Sequence, residues 1–225
     1  VALAIGGCLV VDQDRTILRD HYDPPLSPYN YTSPLSGMRS YITNSKDDVL
    51  LTVENLPAGS SVRLAVMDRF DGNVCNLSDS TMSSDSSNYR RVGTSITNNA
   101  EGKKFTATFT VDKGLSDYWL PMAGAASSVT FDNSENSDSF YYNSDTMSAI
   151  YPSRTSEGLT YTETGIMPTV PTDKQIAKTD AAAISQPKAE DVPDCVDKLA
   201  TAIAGGQSKG GEAAQALAEK LKESG

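Results

Sequence analysis

Residues 103–112, KKFTATFTVD, place Phe105, Ala107, Phe109 and Val111 at every second position, with threonines between them. Successive side chains of a strand point to opposite faces, so the run predicts a strand with one buried and one open face. That demand for a sheet and a facing layer governs the rest of the reading. Upstream, DVLLTVENLPAG and SVRLAVMDRFDG read as two strands joined by the turn Leu56-Pro57-Ala58-Gly59. In the second of these, Val62, Leu64 and Val66 alternate with Arg63, Ala65 and Met67, which predicts one buried face. Asp71-Gly72 supports a reversal into a third strand, NVCNLS, with Cys75 as a small core-facing or edge residue. The serine-rich tract at 78–87, SDSTMSSDSS, reads as a mobile loop that does not pack. Downstream, DYWLP, SSVTFD, SFYYN, SAIYP and LTYTETGI are short runs divided by polar turns. Strands this short and this frequent predict a mainly β chain, an antiparallel β-sandwich over residues 47–171.

Residues 15–41 hold four prolines and four tyrosines without a period. Such a stretch predicts no regular helix or central strand, and residues 13–46 read as an extended arm packed on the body. Tyr22, Tyr29 and Tyr31 are expected to be partly buried there, with Arg19 and Arg39 ion-paired to the acidic body. Residues 1–12 begin with VALAIGGCLVV, too short to span a bilayer. They read as the end of a transmembrane helix or a first buried strand. After a linker at 172–190 the period becomes helical. Val196, Leu199, Ala200 and Ile203 form one stripe, closed by Gly205-Gly206, and Ala213, Ala214, Leu217, Ala218 and Leu221 form another. Residues 191–225 thus read as two short helices opening a truncated following domain.

The chemistry available is limited. The formal charge is −10, and there is no basic cluster, so nothing favours nucleic acid or an anionic membrane surface. Histidine occurs once, at His21, and the three cysteines (Cys8, Cys75, Cys195) include no CxxC pair. A thiol mechanism therefore has one histidine to serve as base. Cys195 follows Val192-Pro193-Asp194 at a helix start, a place that can activate a thiol. Asp194 and Asp197 flank it and oppose a thiolate, so Cys195 is expected to be packed on its helix and chemically quiet. DNSENSDS at 132–139 alternates oxygen side chains but lacks the glycine and bidentate glutamate of a calcium loop. Sequons occur at Asn30 and Asn76, and Trp119 reads as a core anchor in preference to a sugar platform. These readings assign no catalytic, cofactor-binding or metal residue, and no cofactor.

Several separated segments together resemble a known family. ILRDHYDPPLSPYNYTSPLSGMRSY, LLTVENLPAGSSVRLAVMDRFDGNVCN, DYWLPMAGAASSVTFD and YYNSDTMSAIYP are similar, in this order, to the extracytoplasmic segment of bacterial multi-pass membrane proteins with a transglutaminase-like domain. The resemblance spans residues 17–225. It implies a preceding transmembrane helix and a following Cys-His-Asp core whose nucleophile is not Cys195. Position 75 departs from the pattern, carrying Cys where a large aromatic is common. The expected function is that of a non-catalytic extracytoplasmic module, membrane-anchored through its tether. It would position the catalytic domain of its own chain or contact a cell-envelope protein or wall component. The competing readings are a free-standing cysteine or carboxylate hydrolase and a secreted adhesin or carbohydrate-binding module.

Overall fold

The computed structural model describes residues 26–31, 33–70, 75–78, 86–93, 95–133, 136, 140–183 and 192–224. Ten strands are described, all paired antiparallel, and the two larger sheets form a sandwich. The first sheet has the order β1 (Leu51–Glu54), β5 (Gly102–Val111), β10 (Thr160–Pro168), β7 (Ala125–Phe131). The second has the order β4 (Arg90–Arg91), β8 (Tyr141–Asn143), β9 (Ser148–Ile150), β6 (Trp119–Leu120). A separate hairpin pairs β2 (Arg69–Phe70) with β3 (Cys75–Asn76), as Asp71-Gly72 suggests; its turn lies outside the described residues.

The alternation in β5 fixes the first sheet. Phe105, Ala107, Phe109 and Val111 are buried, while Thr106, Thr108 and Thr110 lie on the open face opposite Thr164, Thr162 and Thr160. Those three threonine pairs have hydroxyl separations of 3.0, 3.3 and 3.4 Å. Inside, Phe109 stacks on Tyr161 with centroids 5.1 Å apart, and Phe131 packs against both Tyr151 and Tyr161. Leu120, Tyr142 and Ala149 of the second sheet close this core.

Strands β9 and β6 of the second sheet are buried on both faces. All three residues of β9 and both residues of β6 are inaccessible, unlike the half-open β10. The sheet's outer side forms a second apolar cluster of Leu77, Tyr89, Trp119 and Ile150, covered by Leu26, Tyr31, Leu64, Ala65 and Met67. This second layer corrects two sequence expectations. Residues 61–67 form no strand and do not pair with 51–54; they make one isolated bridge, Arg63 to Met122. Leu64, Ala65 and Met67 all pack on the second cluster, while Val62 is exposed. The alternation marked a covering segment, because consecutive residues of such a segment can be drawn onto one surface without a ladder.

The arm is not extended throughout. A 3₁₀ turn spans Pro28–Asn30 and α1 spans Pro34–Thr43. Each proline stands at the first position, where a missing N–H costs nothing and a fixed φ helps. No proline follows until Pro57, so the chain is free to stay helical. The arm does pack on the body. The Tyr31 ring lies 5.0 Å from that of Tyr118, and the Tyr29 hydroxyl donates to the Ser78 carbonyl at 3.1 Å. The Tyr41 hydroxyl donates to Asp117 at 3.0 Å. Tyr29 still keeps about half its surface exposed, at 49%. Arg39 is exposed with no acidic partner in the described contacts, against expectation; the two ion pairs shown there are Lys209–Asp180 and Lys220–Glu223. Residues 1–12, with Cys8, and also Arg19, His21 and Tyr22, lie outside the described residues. Replacing Tyr41 by phenylalanine is expected to lower stability by about 1 kcal/mol, the net worth of one such bond, read as a shift in the urea midpoint.

Three helices follow the sandwich: α2 (Asp173–Ala177), α3 (Asp194–Ala204) and α4 (Gly210–Ser224). The second of these starts behind Pro193, as the sequence suggests. The first turn of α4 meets α2 backbone to backbone. A Cβ on Gly211 would sit 1.8 Å from the Ile176 carbonyl oxygen, so glycine is required by contact. Gln215 then donates to the Asp173 carbonyl at 2.9 Å, and Lys209 meets Asp180 at 2.6 Å. No helix among the described residues is long and apolar enough to cross a membrane.

Candidate functional site

The cysteines occupy separate places. Cys75 is half-buried in the short hairpin, and Cys195 is exposed on the first turn of α3. The expectation that Cys195 packs on its helix is therefore corrected. The stripe it was to join is itself only partly covered: Ala200 and Ile203 are half-buried, while Val196 and Leu199 keep 49% and 58% of their surface. Cys8 and His21, which a thiol triad would also draw on, lie outside the described residues, as does most of the oxygen-rich loop at 132–139. Among the described residues, no group of three or more His, Cys, Asp or Glu side chains could hold a metal ion. Asn30 and Asn76 are both exposed. Trp119 is 1% exposed and meets Tyr89 edge-on at 5.8 Å, so the single tryptophan is a core anchor.

Two polar clusters were not singled out in the sequence. The first closes the serine-rich tract at its base. Ser86 donates through its hydroxyl to Asp68 Oδ1 at 2.5 Å, and Ser78 donates to Asp68 Oδ2 at 3.2 Å. The two hydroxyls stand 3.0 Å apart, and the Ser78 amide donates to Ser86 Oγ at 2.7 Å. Both serines are fully buried. The ends of this tract therefore pack, contrary to expectation, because Asp68 satisfies hydroxyls that would otherwise forbid burial. Residues 79–85 lie outside the described residues. Asp68 thus ties the two serine hydroxyls together and clamps the base of the tract.

The second cluster lies in the main core. Glu163 is 0% exposed, and its two carboxylate oxygens accept from the Ala123 amide at 2.8 Å and the Gly124 amide at 3.1 Å. Burial pushes its carboxyl up to about 7, against the lowering effect of those two amides and of Arg63. Burial likewise raises the Tyr142 hydroxyl to about 12 and holds Tyr161 well above its ordinary value. The sequence did hold a signal here: in TYTETGI, Glu163 shares a face with Tyr161, and the threonines take the other.

A cleft of about 230 Å³ lies between the arm and the outer side of the second sheet. Pro28, Tyr29, Tyr31 and Ser33 form one wall; Met67, Asn76, Leu77 and Trp119 form the other. It is below the size of typical small-molecule pockets. No family model, curated protein or solved structure matches the chain.

Proposed function

We propose that the chain is a non-catalytic β-sandwich module that positions a neighbouring domain of its own protein. The observation that carries this reading is the uncovered apolar stripe of the helical tail. Val196 and Leu199, three residues apart on α3, keep 49% and 58% of their surface exposed, Val192 just before the helix keeps 43%, and Leu221 of α4 adds a further exposed leucine. In a chain of net charge −10 such a stripe is costly to leave in water, and a folded neighbour would cover it. The resemblance to membrane-anchored transglutaminase-like proteins supplies the neighbour: a catalytic domain after the tail, held at the extracytoplasmic face of a bacterial membrane. On this reading the arm and sandwich form the rigid spacer and the tail is the mount.

Cys195 borders the stripe on the helix and is exposed, which makes it a reporter. With Cys8 and Cys75 replaced by serine, a maleimide should label Cys195 rapidly in the isolated chain. In a longer native protein carrying the following domain, labelling should slow at least about tenfold, as expected when a covered thiol loses access. Equal rates in the two proteins would remove the proposal. The isolated chain should also neither incorporate amines nor cleave peptides. An activity that vanished on Cys195→Ala would restore the enzyme reading, since it would show a nucleophile with a base in reach.

A further inference from the structure

We propose that Glu163 is a proton-operated clasp on the crossover between the two sheets. The chain leaves the second sheet at β6, Trp119–Leu120, and enters the first at β7, Ala125–Phe131, so residues 121–124 are the strap that joins the layers. Two side chains grip that strap from inside, and a third holds the strand it enters. The Tyr161 hydroxyl donates to the Pro121 carbonyl at 2.6 Å, and Glu163 accepts from the next two free amides, those of Ala123 and Gly124. Tyr142, from the second sheet, accepts from the Ala126 amide at 3.1 Å just beyond the strap. Met122 is held from the other side by its paired backbone bonds to Arg63, at 2.7 and 2.9 Å.

The strap has little room to move. A Cβ on Gly124 would lie 2.5 Å from the Ile166 carbonyl oxygen and 2.7 Å from the Phe105 ring. The carboxyl sits between Ala107 and Val129 of the adjoining strands, which offer it no charge. The titratable and charged groups acting on it are Arg63, from the covering segment, and the hydroxyls of Tyr142 and Tyr161. Arg63 directs a guanidinium nitrogen to the Met147 carbonyl at 3.2 Å, and no salt bridge between Arg63 and Glu163 is described. Arg63 thus acts on the carboxyl without the direct contact that normally fixes a buried carboxylate in one protonation state.

Two amides on two oxygens is the arrangement of the ionised form, in which both bonds are charge-assisted. When a proton binds, one oxygen becomes a hydroxyl and a poorer acceptor, and one of the two amides loses its strong bond. The clasp is closed with the charge present and half-released without it. Burial, only partly offset by the two amides and Arg63, moves this exchange out of the acid range and toward neutrality.

The experiment is a pH titration of the wild-type chain, followed by nitrogen–proton spectra. The amide signals of Ala123 and Gly124 should move together through one transition between about pH 6 and about pH 8, with the protons downfield on the alkaline side. The fluorescence of Trp119, the only tryptophan, should report the same midpoint from the adjoining strand. In Glu163→Gln both transitions should vanish. Invariant amides across that range in the wild type, or an unchanged transition in the variant, would overturn the proposal. If the variant does not fold, a carbon-detected titration of the Glu163 carboxyl in the wild type decides it. A midpoint below about pH 5 there would overturn the proposal equally.

Discussion

Replacing Trp119 with alanine is expected to cost about 3–5 kcal/mol of folding stability, the range for deleting a large aromatic from a close-packed core. The side chain sits where three layers meet. It belongs to β6 at the rim of the second sheet, lies edge-on to Tyr89, and is covered by Leu26, Tyr31, Leu64, Ala65 and Met67. Little of that surround can collapse into the vacated space, because the arm is also held by Tyr29 at the Ser78 carbonyl and by Tyr41 at Asp117. The loss should appear as a lower urea midpoint with an unchanged slope. It should also make the arm near residues 28–33 cleavable by protease, since part of its docking surface would be gone. A cost below about 1 kcal/mol would mean that the outer cluster is a loose cover and not a second core.

The second large effect is a stability that falls as pH rises through neutrality. Glu163 has an ordinary carboxyl value of 4.5 that burial raises to about 7 in the fold. Between those values the folded chain holds a proton that the unfolded chain has released, so raising the pH favours unfolding. Its share of stability is whole below about pH 4.5, drains away up to about pH 7 and is flat beyond. The shift is worth about 3 kcal/mol at 1.36 kcal/mol per pH unit. Glu163→Gln should abolish that slope. Glutamine, like the protonated carboxyl, offers one full acceptor to the two amides, so the variant should lie within about 1 kcal/mol of the wild type at pH 5. At pH 8, where the wild type has lost the carboxyl's share, the variant should be the more stable by about 2–3 kcal/mol. Denaturation curves at several pH values check this, and parallel slopes in the two proteins would refute it.

The sandwich was legible because its central strands carry their own instruction. FTATFTV separates faces so cleanly that Phe105 through Val111 could be placed before any partner strand was known. What misled was burial without pairing. SVRLAV alternates because it covers a sheet, and nothing local distinguishes a covering segment from a member of the ladder. The arm misled differently: its prolines signal where helical structure begins as readily as where it is forbidden, and only position decides. Glu163 was legible in face but not in consequence, since a glutamate on an inward position announces itself only once the amides of Ala123 and Gly124 are known to meet it. The serines at the ends of the low-complexity tract looked solvated because their partner, Asp68, stands ten and eighteen residues away.

The boundaries of the sheets bear on how such a chain survives in a crowded envelope or a concentrated solution. An open strand edge is a template on which a second chain can grow a sheet. Here the β7 margin is occupied. The Ile96 amide donates to the Ser127 carbonyl at 2.7 Å, and the Asn98 side chain reaches the Ala125 and Ala126 carbonyls at 3.2 and 2.9 Å. The opposite margin, β1, is four residues long, and the outer strand of the second sheet is two exposed arginines. Short, charged or already satisfied margins leave a neighbouring copy nothing to zip onto. On the proposed reading, in which the exposed stripe of α3 meets a partner domain, inert β margins would leave that stripe to govern what the chain associates with.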